Sequence, residues 1–221
     1  LIELGDKFLS EGNLRKGFTL PTGAVWTPNL WVYGNFRSAV QSFDSGAAPR
    51  SSEWVNRLDL FGNLELSPTE RVVIGIRPFD HKGDFTGFNF EPATRRGFEE
   101  NFNATSFQPR TLFFEGEFGE IFPGLDDGDR LSLDYGISVG RQPLRLQDGL
   151  LLDDDALDLL AFTRNAILPR GGSHLRVSTL FGWNEVDRGN NAEEQGSYLL
   201  GLDSFLDLKR STIEWDLLYV L

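Results

Sequence analysis

From residue 30 to residue 221, apolar side chains recur at every second position in one long stretch after another. A β-strand turns successive side chains to opposite faces, so this period specifies ribbons with one greasy side and one wet side. In 54–66, Trp54, Leu58, Leu60, Leu64 and Leu66 fall on one face; Val55, Arg57, Asp59, Phe61, Asn63 and Glu65 fall on the other. After the turn sequence Ser67-Pro68-Thr69-Glu70, Val72, Ile74 and Ile76 oppose Arg71, Val73, Gly75 and Arg77. The same alternation predicts strands over 30–43, 111–121, 131–139, 175–183, 198–208 and 213–221. The segment 156–167 is apolar on both parities and reads as a further strand, with a short helix as the alternative.

These make about nine strands, mostly of about 9–13 residues. Soluble strands average about 5–6 residues, whereas a tilted membrane strand needs about 9–11. The connectors also alternate in length. Short ones are expected at 67–70, 122–129, 168–173 and 209–211, and longer ones at 45–52, 81–110, 143–155 and 185–196. Short turns at one rim and long loops at the other are the habit of a transmembrane β-barrel. Aromatic residues, Trp31, Tyr33, Trp54, Trp183, Tyr198, Trp215 and Tyr219 among them, gather towards strand ends, where an interfacial belt would want them. The expected fold is therefore all-β: an antiparallel, up-and-down transmembrane barrel over 30–221. Residues 1–29 precede it as a periplasmic segment, a plug or an extra strand. An odd strand number leaves raw edges, so the chain is expected to be an incomplete part of a larger barrel.

Composition narrows the function classes. With 21 basic and 33 acidic residues the formal charge is −12, which argues against nucleic acid as a partner. There is no cysteine, so disulfides, thiolate metal sites and a cysteine nucleophile are excluded. Methionine is absent even at position 1, as expected of a processed or partial product. No basic segment followed by an apolar core marks a secretory signal. The charge-free stretch 17–36 carries Pro21, Pro28 and three glycines, and so is not a spanning helix.

The wet faces carry charge in order. Arg37, Arg57, Arg71 and Arg77 lie on the early strands with Asp59 among them. Glu115, Glu117, Asp134, Asp203, Asp207, Glu214 and Asp216 lie on the later ones, with Arg176 as the exception. In a barrel these become a basic and an acidic wall of the lumen, and such charges select solutes. The segment 143–155 reads as a loop folded into the channel as a constriction, with Arg145 and Asp148 near the solute path. A hard-cation site built from Asp148, Asp153, Asp154 and Asp155 is a weaker reading, since the spacing is not that of an EF-hand. Catalysis has little support: His174 and Ser178 share a strand face without an acid partner. No metal, cofactor or catalytic residue is expected.

The stretch Ile137-Ser138-Val139-Gly140-Arg141-Gln142-Pro143-Leu144, followed by Gln147-Asp148-Gly149-Leu150, resembles bacterial outer-membrane porins of the alginate-export type. That resemblance implies a barrel in the outer membrane of a Gram-negative bacterium that passes polar or anionic solutes passively, with membrane lipid as its surroundings. The chain is about half the length such an 18-stranded barrel needs. Two alternatives remain open: a barrel acting as scaffold or sheath for a partner protein, an electron-transfer complex or an oligomer, and a soluble secreted β-sandwich that binds glycans through exposed aromatics.

Overall fold

The structure, a computed structural model, describes residues 17–44, 46, 51–81, 84–89, 105–125, 133–169, 171–184, 186 and 196–221. In chain order the strands are β1 (Phe18–Thr19), β2 (Val25–Trp26), β3 (Asn29–Phe43), β4 (Ser51–Glu65), β5 (Arg71–Ile76), β6 (Asp80–His81) and β7 (Asp84–Asn89). Then come β8 (Pro109–Glu117), the single helical turn α1 (Phe118–Ile121), β9 (Tyr135–Leu146), β10 (Leu152–Ile167), β11 (Gly172–Trp183), β12 (Leu199–Leu208) and β13 (Ser211–Val220). The fold is all-β, as expected.

Strands β3 to β13 form one 11-stranded sheet in which every pair is antiparallel. Both β5 and β7 pair with β4, at its two ends, so β5 to β7 are one interrupted course and the sheet is a meander of nine courses. Among the described residues β3 and β13 do not pair with each other, and the sheet is open rather than closed into a barrel.

Cross-strand register sorts the side chains into rows. One row crosses the whole sheet: Leu30, Leu64, Val72, Phe114, Val139, Leu160, Phe181, Leu200 and Tyr219, each directly opposite the next. These residues define the outer face, where Leu30 and Tyr219 are 61% and 60% exposed. A row on the other face runs Glu117, Gly136, Thr163, Ser178, Asp203 and Asp216. That inner face is the more covered one, and it holds the small core of Leu146, Leu157, Leu159, Leu180, Val186 and Leu199.

Several expected boundaries change. The strand placed at 131–139 starts at Tyr135, whose amide donates back to the Leu133 carbonyl at 2.7 Å; Leu131 and Ser132 lie outside the described residues. The strand placed at 111–121 stops at Glu117, where α1 begins. The loop placed at 81–110 contains β7, which sets Phe88 beside Trp54. The loop placed at 143–155 is mostly strand: β9 and β10 extend to Leu146 and from Leu152, pairing Arg145 with Asp153 and Leu146 with Leu152. Of the N-terminal segment, 18–26 forms a two-stranded hairpin outside the main sheet, tied to it where the Thr27 amide donates to the Leu66 carbonyl at 2.7 Å; residues 1–16 lie outside the described residues.

Candidate functional site

The inner face presents its charges in three groups. On β4 and the course beside it, Asp59 is buried and accepts from Arg57 Nε and Arg77 Nε, each at 2.8 Å. Arg77 also reaches Asp80 at 3.2 Å, and Asp80 takes Arg110 at 2.9 Å. Three guanidiniums thus share two carboxylates, and Asp80 and Arg110 carry no signal in the alternation that marks the other charged positions. Arg37 on β3 stands opposite Arg57 and is exposed.

Further along, Arg71 pairs with Glu115 at 2.5 Å across β5 and β8. Beyond them lies an open trough of about 650 Å³, lined by Glu115, Glu117, Asp134, Ser138, Arg176 and Ser178 among others. Asp134 borders it from just before β9, not from within a strand. The trough joins side chains from four courses and the turn after β4.

The acidic group lies on β12 and β13. Asp203 and Asp216 are directly opposite, a like-charge pair that costs stability unless something offsets it. Arg176 does so in part: its Nη2 lies 3.5 Å from Asp203, and its guanidinium lies over the Phe205 ring at 5.4 Å. Asp207 is held by the Thr212 hydroxyl at 3.2 Å, and Glu214 is opposite Phe205.

The most consequential feature is the end of the β9–β10 hairpin. Gln147 Nε2 donates to Asp216 Oδ2 at 2.6 Å, a contact between residues 69 apart in sequence and three strand pairings apart in the sheet. Leu144, Leu146 and Leu152 join the cluster that includes Leu180, Leu199, Leu218 and Val220. The hairpin end therefore lies across the inner face of β11 and β12, apolar side down. Arg145 and Asp153 pair at 3.7 Å on its other, exposed side. Arg145 Nη2 also donates to the Asp148 carbonyl at 2.7 Å, and Asp148 sits exposed in the turn with a left-handed φ of 53°. Arg145 and Asp148 are thus brought over the inner face, by a bent hairpin and not by a loop.

The bend has a visible cause. Gly140 has φ +124°, and a Cβ there would meet the Leu112 carbonyl oxygen at 2.3 Å. On the partner strand the register shifts between Asp154 and Leu157. The Ser138 hydroxyl donates to Gln142 Oε1 at 2.6 Å; in a straight strand residues four apart stand roughly 13 Å apart at Cα.

The outer face is mostly apolar, with polar positions among which Arg164, beside the Tyr135 hydroxyl and ring, and the Arg141–Asp158 pair carry charge. Arg141 and Asp158 are paired through two bonds of 3.0 Å, and Asn184 donates to Asp158 at 2.6 Å. The Arg141 of the porin-like stretch is thus turned away from the inner face. His174 and Ser178 are four residues apart on β11, and Ser178 is engaged by the Thr163 hydroxyl at 3.0 Å, so they form no dyad. Among the described residues no three His, Asp or Glu side chains come together to hold a metal; the Asp154 and Asp155 side chains lie outside them. No family model matches the chain, and no curated protein or solved structure matches it either.

Proposed function

We propose that this chain forms part of the wall of an outer-membrane conduit for small polar or anionic solutes, its outer face against lipid and its inner face against enclosed water. The observation that carries the reading is the apolar row from Leu30 to Tyr219, unbroken across nine courses, with no second protein layer over it among the described residues. Monomeric soluble proteins rarely leave so extended an apolar surface to water. The opposite face supplies the charged lining, and field lines focused between low-dielectric walls steer ions. Arg37, Arg57, Arg71 and Arg77 would attract anionic groups, and Asp203, Glu214 and Asp216 would stand as the opposing wall.

The test is purification followed by reconstitution into planar bilayers. Extraction only by detergent, together with discrete single-channel currents, is the expected result. A monodisperse, detergent-free protein of 24.8 kDa without currents would overturn the reading. A soluble β-sandwich would need two packed sheets, and the described residues form one sheet and a small hairpin, which supports the conduit reading over it.

A further inference from the structure

We infer that the end of the β9–β10 hairpin, residues 142–157, is a hinged strap latched across the inner face by the Gln147–Asp216 hydrogen bond, and that its lifting changes the bore. The bore rests on the conduit reading; the strap itself does not.

Three features make a hinge and a latch of this segment. The hinge spans a few residues of each strand: Gly140 on β9, opposite Leu159, has a left-handed φ, and the register of β10 shifts between Asp154 and Leu157, opposite Gln142 to Leu144. Two irregularities so close along the hairpin let it bend, because beyond Gly140 the partner strand no longer keeps a regular ladder. The latch is a single side-chain contact, Gln147 to Asp216, at the far end of the lever. Between them, Leu146 joins Leu180 and Leu199 in one buried cluster, against which Leu144, Leu152, Leu218 and Val220 pack, and the strap makes no backbone ladder to β11, β12 or β13 among the described residues. Side-chain packing alone can part and re-form as a body, whereas a sheet ladder cannot open without stranding its N–H and C=O groups. The tip protrudes freely: Leu150 is 91% exposed.

The chain has no cysteine, so introduced thiols report without background. In a Gln147→Cys/Asp216→Cys double variant, a short bis-methanethiosulfonate, which spans the length of the two side chains replaced, should bridge the thiols, read as a reducible mobility shift. In planar bilayers the bridged form should hold one lower conductance level, and the reduced form should step between that level and a higher one. Failure of the bridge to form overturns the strap; identical currents before and after reduction overturn its control of the bore. Motion is also read without any current. A Leu180→Cys thiol, covered by the strap, should react slowly with a maleimide. Adding Gln147→Ala should speed the reaction about fivefold, the worth of one hydrogen bond. An unchanged rate overturns the hinge. If the wild type carries no current while Leu180→Cys labelling accelerates as stated, the conduit reading falls and the strap stands.

Discussion

Arg37 and Arg57 stand directly opposite each other on β3 and β4, and of the two it is Arg57 that has an acid beside it, Asp59 at 2.8 Å. Like charges facing across an antiparallel pair oppose folding by a few tenths to about 1 kcal/mol. A cation kept at such a place serves something other than the fold. Arg37→Gln is therefore expected to leave stability unchanged or raise it by up to about 0.5 kcal/mol. In reconstituted channels it should move the reversal potential in a KCl gradient towards cation preference. Loss of stability without a change in selectivity would show that Arg37 acts in folding alone.

Asp59 is the opposite case. It is the shared acceptor of Arg57 and Arg77, and both the carboxylate and Arg77 are largely withdrawn from water. Asp59→Asn leaves two guanidiniums facing one another across a neutral amide. A cost of about 2–4 kcal/mol is expected, as for removing one partner of a buried pair. Glu115→Gln supplies the control. Its pair with Arg71 is well exposed, and it should cost less than about 1 kcal/mol. Urea titration of the protein folded in lipid vesicles measures both.

The strand rhythm was legible because the outer face is mostly apolar: every course turns leucine, valine, isoleucine or phenylalanine the same way at most positions, and a period of two is the direct imprint of that demand. The spacing of Leu200, Leu202 and Leu206 is enough by itself to mark β12 as a strand and to sort its two faces. The strap was not legible. Leu144, Leu146 and Leu152 look like irregular loop leucines until β9 bends, and the bend depends on Gly140, one glycine among 24. Once the strap is seen, the double-sided apolar character of β10 has its reason: Leu160 and Phe162 face outward, while Leu157 and Leu159 are buried in the cluster that Leu146 of the hairpin end joins. The Asp80–Arg110 pair is illegible for a related reason, since its partners are 30 residues apart and the interval reads as loop.

Gly140 carries a prediction of its own. Gly140→Ala adds a Cβ against the Leu112 carbonyl and forces a non-glycine residue into a positive-φ conformation. Either β9 straightens or the strain is kept, at about 1–3 kcal/mol. Straightening would pull Ser138 from Gln142 and Gln147 from Asp216 together. The expected outcome is a destabilised protein in which the thiols of a Gln147→Cys/Asp216→Cys background no longer cross-link. Efficient cross-linking in the Ala variant would show that the glycine is not what bends the strand.

The nature of the medium at the outer face can be read from one substitution. Phe162 lies on β10 opposite Ile137 and Thr179 and is 44% exposed. If that face meets water, Phe162→Arg trades one half-exposed side chain for another, and surface changes of that sort stay within about 0.5 kcal/mol. If it meets hydrocarbon, an arginine near the midplane costs about 2–4 kcal/mol. The two expectations differ by far more than the error of an equilibrium titration. The lipid reading predicts the larger value for Phe162→Arg and a similar one for Leu160→Arg. For Ser204→Arg, one of the polar gaps in the outer face opposite Val177 and Trp215, it predicts a cost set by depth alone. A value near zero at all three positions, with folding intact in plain buffer, would return the outer face to water and the inner charges to an ordinary surface.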